Sequence, residues 1–140
     1  MKCLMTAKDI ADLFKREFPQ VGPEFSIESV APMQARVRWS ASEAHLRPGG
    51  TVSGPTMFTL ADLGVYVAAL AMIGPKALAV TTSAHIDFMR KPRPGADLIA
   101  EVRLHKLGRA LAVGDVLMMS EGDDAVVARA SLTYSIPPKG

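Results

Sequence analysis

Between Gly54 and Ile73 the chain reads GPTMFTLADLGVYVAALAMI, twenty residues in which Asp62 is the only charged side chain. A carboxylate carried into an apolar interior costs several kcal/mol unless it is paired, hydrogen-bonded or protonated. A base or nucleophile for a reacting carbonyl is the chemistry that would retain such a group, since perturbed carboxylates concentrate at functional sites. The alternative is a structural carboxylate satisfied by hydroxyls and backbone donors. On a helix Asp62 shares a face with Thr59 at i−3 and Tyr66 at i+4, so a narrow polar stripe is expected along an otherwise apolar cylinder, facing a wet or ligand-lined surface.

A second chemical feature stands at the start of the same run. Ser53 is a good N-cap, and Pro55 falls in the first turn, where its missing N–H leaves no helical bond unmade. The helix therefore starts at Ser53-Gly54, and its free N–H groups and positive dipole end point at whatever approaches Gly54. That arrangement is an oxyanion hole in the making, although a well-capped helix start alone would read the same way. Gly54 and Asp62 are eight residues apart, about 12 Å along a helix at 1.5 Å per residue. A base and an oxyanion donor must both lie near one carbonyl, so one subunit is not expected to supply both. A two-fold dimer that brings the N-terminus of one helix to the middle of its partner's would make two equivalent sites.

Other elements must hold this helix. Thr6 followed by Asp9 has the form of a capping box, and Ile10, Leu13, Phe14 and Phe18 recur at helical spacing until Pro19. Two strands are expected at Phe25 to Ala31 and Met33 to Ser40, with a bend at Pro32 and with Ala35, Val37 and Trp39 alternating against Gln34, Arg36 and Arg38. Residues 41 to 53 carry Pro-Gly-Gly and read as a loop. After Gly74-Pro75 four further strands are expected, at Leu78 to Phe88, Asp97 to Lys106, Ala110 to Ser120 and Ala125 to Ile136; the short turns between the last three require antiparallel neighbours. A helix with no solvated stripe between the second and third of six strands is best buried by a sheet that curls around it. The expected class is α+β: a curved six-stranded antiparallel sheet around one long central helix, preceded by a short N-terminal helix, with residues 1–140 as one domain.

Composition narrows the partners. Sixteen basic and fourteen acidic residues give a net charge of +2, too small for a nucleic-acid footprint. One cysteine, Cys3, excludes an internal disulfide, and His45, His85 and His105 are too dispersed to form a zinc set; His45 and His85 read as structural or surface residues. The N-terminal residues lack a signal-peptide pattern, so a cytoplasmic protein is expected. Only 54 to 73 is long enough to span a bilayer, and Asp62 at mid-span argues against that. Eight methionines fit an adaptable interior.

Three stretches, HLRPGGTVSGPTMFTLAD from His45 to Asp62, AVTTSAHIDFMRKPRPGADL and LHKLGRALAVGDVLM, together resemble the PaaI-like hotdog-fold acyl-CoA thioesterases over roughly residues 45 to 135. The resemblance implies a hotdog domain, homodimers often paired into tetramers, and hydrolysis of an acyl- or aryl-CoA thioester without metal or prosthetic group, coenzyme A being part of the substrate. It places the catalytic carboxylate on Asp62, the oxyanion glycine on Gly54, and on Thr81 a hydroxyl that in some members helps hold the attacking water. Members usually read His-Gly-Gly where this chain reads Ser53-Gly54-Pro55, and they often carry Asn where it has Arg47. Ser53 is then expected to cap the helix locally, and Arg47 to meet a substrate carbonyl, an acidic acyl group or a coenzyme phosphate. By the same resemblance the anionic end of coenzyme A would meet Arg90, Lys91 and Arg93, then Lys106 and Arg109; solvated loop charge is the alternative for each.

Two other readings compete with thioester hydrolysis. A catalytically weak or inactive acyl-CoA-binding protein would account for the changed residues Ser53 and Arg47. A dehydratase fits less well, because no His and acidic residue stand in a recognisable pair.

Overall fold

A computed structural model describes residues 2–40, 46–76 and 78–138. Helix α1 (Ala7–Glu17) starts on the expected capping box: the Asp9 N–H donates to the Thr6 hydroxyl at 3.1 Å and the Thr6 N–H donates to the Asp9 carboxylate at 2.9 Å. It buries Ile10, Leu13 and Phe14 and ends at Phe18, before Pro19. Strands β1 (Phe25–Ala31) and β2 (Gln34–Trp39) form a hairpin whose turn places Met33 at φ 62°, a left-handed position unusual for a side chain of this size.

The loop expected over 41–53 has internal order in its described part. Strands β3 (Leu46–Arg47) and β4 (Thr51–Val52) pair as a small hairpin over Pro48-Gly49-Gly50, where both glycines take positive φ. His45 lies outside the described residues. Helix α2 then runs Gly54–Ile73, with the boundaries read from the sequence. Four strands follow: β5 (Val80–Phe88), β6 (Leu98–Leu107), β7 (Leu111–Ser120) and β8 (Val126–Ser135). Each lies within two residues of its expected ends.

Six strands make one antiparallel sheet in the order β1-β2-β6-β7-β8-β5. Alternation sets its inner face: Ala35, Val37 and Trp39 of β2, Ala100, Val102 and Leu104 of β6, and Leu132 and Tyr134 of β8 are buried in the core with α2. The sheet wraps α2, which touches all six strands, and this is the hotdog arrangement. Wrapping explains why α2 needs no polar face. By length and composition it could cross a bilayer, but 78% of its apolar window is buried inside the fold, as in a core helix. At Gly64 the sheet comes close, since an added Cβ would lie 2.8 Å from Val102 Cγ2 and 3.3 Å from Val37 Cγ2. Any side chain there would have to displace the Val102 and Val37 side chains of β6 and β2.

Strand β5 is the exception to this burial. It sits at the sheet edge, paired only with β8, and Val80 to His85 are all exposed. Apolar Leu78 (81% exposed), Val80 and Phe88 mark the ends of this open edge. An unpaired, partly apolar edge of nine residues is a template for a further strand.

Candidate active site

The stripe along α2 meets three different surroundings. Thr59 is exposed, and its hydroxyl donates to the Pro55 carbonyl at 3.0 Å. Asp62, one turn further on, is half-buried, and Tyr66 is only 5% exposed. The water-facing stripe expected from helical spacing therefore narrows to Asp62, because the sheet and α1 close over Tyr66.

Two hydroxyls converge on the Asp62 carboxylate. Thr81 donates a short hydrogen bond to Oδ1, and Tyr134 reaches the same oxygen at 2.9 Å and the Asp62 carbonyl at 3.0 Å. Thr81 and Tyr134 are cross-strand partners of β5 and β8, and the register shifts between Thr81 and Ser83. Thr81 stays exposed beside this bulge while its hydroxyl reaches Asp62. Burial, and then the adjacent Asp62 charge, push the Tyr134 hydroxyl far above its ordinary pKa, so it stays a donor. A pocket of about 310 Å³ opens here between Asp62, Thr81, Tyr134 and Tyr66, with Glu17 and Phe18 of α1 on its far side.

Sequence reasoning did not single out Tyr134. Its alternation with Leu132 and Ile136 marks it only as core; the usable signal was that a buried tyrosine hydroxyl needs a partner. Its ring stacks on Tyr66 at 5.5 Å and 9°, and Tyr66 stacks in turn on Phe14 at 5.5 Å and 18°. The stack fixes the hydroxyl that fixes Asp62. Tyr134→Phe keeps the stack and removes the hydrogen bond, and should lower kcat about tenfold or more, the scale of a bond to a charged group. Steady-state kinetics beside a thermal melt measures this; an unchanged kcat would remove Tyr134 from its positioning role.

The start of α2 forms a separate groove of about 900 Å³. Ser53 caps the helix as expected, accepting from the Thr56 N–H at 3.3 Å and donating to the Thr56 hydroxyl at 2.9 Å. Phe88 covers Gly54 so closely that a Cβ on Gly54 would meet the ring at 3.3 Å. Arg47, on β3, enters from one side. From the other come Arg90, Lys91 and Arg93, on the segment after β5. This segment is anchored: the Arg93 N–H donates to Ser120 Oγ at 2.8 Å, and the Arg93 guanidinium donates to the Glu121 carbonyl. Four cations and no acidic residue line the groove among the described residues. The Asp62 pocket has the opposite sign, with Asp62 and Glu17 as its only charges among the described residues.

Within one protomer the remaining candidates are not gathered. Gly54 and Asp62 line different cavities, as their helical separation requires. Lys106 lies at the end of β6 and Arg109 in the β6–β7 turn; Arg109 lines a cavity with Ile73 and Lys76 at the far end of α2, about 28 Å from Gly54 at 1.5 Å per residue. Among the described residues no group of three or more His, Cys, Asp or Glu is placed to hold a metal ion.

Comparison with known proteins bears on this geometry. A model of the thioesterase superfamily matches residues 49–134, from the β3–β4 turn to the tyrosine beside Asp62. A candidate esterase of Pseudomonas aeruginosa is 32% identical over 118 residues, 84% of this chain and 85% of that protein. The crystal structure of a candidate thioesterase from Silicibacter sp. TM1040 is 53% identical, with a TM-score of 0.92 over 99% of this chain and 96% of that one. A mutant of the phenylacetic acid degradation protein PaaI from Thermus thermophilus is 26% identical, with a TM-score of 0.70 over 90% of this chain and 99% of its own.

Proposed function

Because the chain belongs to the thioesterase superfamily, we propose that it hydrolyses an acyl- or aryl-CoA thioester at a site shared by two subunits, each site taking Gly54 from one and Asp62 from the other. The observation that carries this reading is the division of α2 into a cationic groove around Gly54 and an acidic, aromatic-floored pocket around Asp62. A polyanionic coenzyme suits the first, and an acyl group awaiting attack suits the second.

The open edge of β5 supports the pairing. Phe88 at the end of β5 lines the Gly54 groove, whereas Val80 and Thr81 at its start line the Asp62 pocket. Two β5 edges paired antiparallel about their midpoint would set Phe88 of one protomer beside the partner's strand start, and so groove beside pocket. The same pairing carries the partner's β6–β7 turn toward the groove, because Leu111 and Val80 both pair with Ser135. In that arrangement Lys106 and Arg109 join Arg47, Arg90, Lys91 and Arg93 around the phosphates.

In the reaction the Gly54 N–H and the helix dipole stabilise the oxyanion that forms on the thioester carbonyl. Asp62 either takes the proton of the attacking water or attacks the carbonyl carbon itself, giving a mixed anhydride that water then cleaves. Thr81 and Tyr134 aim the carboxylate, and the coenzyme thiolate leaves and is protonated. The scheme draws only on side chains, backbone and water, and the proposed setting is the cytoplasm.

A panel of short, long and aromatic acyl-CoAs, assayed by thiol detection alongside solution mass, tests the reading. Thiol release with kcat/KM of about 10⁴ M⁻¹s⁻¹ or more is expected for at least one class. A dimer, or two dimers joined as a tetramer, is the expected mass. Tight binding without thiol release would support the acyl-CoA-binding alternative.

A further inference from the structure

Helix α1 lies outside the 49–134 segment that the family shares, yet it supplies one wall of the Asp62 pocket. Its last turn places Phe14 and Phe18 against Tyr66, with ring centroids 5.5 and 6.4 Å apart, and sets Glu17 at the pocket itself. Glu17 is exposed and makes no ion pair among the described residues, although Lys15 and Arg16 precede it. Its charge is felt inside the pocket: after burial, Glu17 is what raises the Tyr66 hydroxyl above its ordinary pKa. With a thioester carbonyl held at Asp62 as proposed, Phe18, Tyr66 and Glu17 are pocket lining that the acyl group beyond it would meet.

We propose that the last turn of α1 is the selectivity wall of the acyl pocket: its aromatic surface admits compact, uncharged acyl groups, and Glu17 turns away acyl groups that end in a carboxylate. The inference rests on the proposed hydrolysis at Asp62 and adds the substrate class. Apolar contact distinguishes such substrates only weakly, since a methylene more or less changes little in an apolar pocket. Repulsion between Glu17 and a second carboxylate acts against the wrong substrate rather than for the right one, and because Glu17 is exposed it weakens as salt is added.

Butyryl-CoA and succinyl-CoA have acyl chains of equal length and differ by one carboxylate, so the ratio of their kcat/KM values isolates the wall. In the native protein the ratio should strongly favour butyryl-CoA. Glu17→Gln should lower it about fivefold or more, and Glu17→Lys should lower it further, as expected for removal and then reversal of a charge. Position 17 is solvent-facing, and a thermal melt verifies the folding of both variants. A ratio unchanged in both variants, with butyryl-CoA turnover retained, would overturn the role of α1 while leaving the proposed hydrolysis standing. Absence of turnover by the native protein on every acyl-CoA would instead overturn the proposed hydrolysis and the selectivity wall together.

Discussion

Asp62→Asn should lower kcat by about a thousandfold or more while leaving the fold and assembly in place, the scale expected when a general base or nucleophile is lost. The fold should survive because asparagine has the same shape and its amide oxygen still accepts from Thr81 and Tyr134. Tyr134 also donates to the Asp62 backbone carbonyl, which the substitution does not touch. What disappears is the negative charge. Neither proton abstraction from water nor attack on a carbonyl carbon can be carried by a neutral amide. Turnover by the variant at the native rate would exclude Asp62 from the chemistry. In a single turnover in isotope-labelled water, label in the Asp62 carboxylate identifies direct attack, with the mixed anhydride opened by water at the Asp62 carbonyl, because base catalysis places label only in the released acid.

The features legible in the sequence are those written in local patterning. The capping box of α1, the span of α2 and the alternation of the strands follow from short-range rules, and each appears where those rules put it. Hairpin β3–β4 escaped because strands of two residues have no periodicity to read. Site residues divide along the same line. Ser53, Gly54 and Asp62 belong to one helix, so capping and spacing locate them. Tyr134 reaches Asp62 from β8, and Glu17 lines the same pocket from the end of α1; both are far from Asp62 in sequence, and no local pattern encodes such a meeting. The spacing of Thr59, Asp62 and Tyr66 gave their common face correctly but not its surroundings, which depend on what covers each turn.

The second large effect concerns a site that no single subunit completes. Gly54→Pro and Asp62→Asn should each be inactive alone, and mixed dimers of the two should regain activity. Proline at position 54 deletes the N–H offered to the oxyanion. Its backbone suits the first helical position, since Ser53 already has φ −72° and ψ 156°, the extended geometry that a following proline requires, and the Phe88 ring, 3.3 Å from a Cβ at 54, must shift by a few tenths of an ångström to admit it. In a mixed dimer one site combines the Gly54→Pro subunit's intact Asp62 with the other subunit's intact Gly54, and the second site carries both lesions. Random reassociation of equal amounts makes about half the dimers mixed, each with one working site of two, so about a quarter of native activity should return. Unfolding and refolding the two variants together, against each refolded alone, provides the measurement, with solution mass verifying that both assemble. If Gly54 and Asp62 served the same subunit's site, every site would keep one lesion and mixing would restore nothing. The roughly 12 Å between the two positions on one helix makes that outcome the harder one to build: a single substrate carbonyl would have to touch both the first turn of α2 and its third.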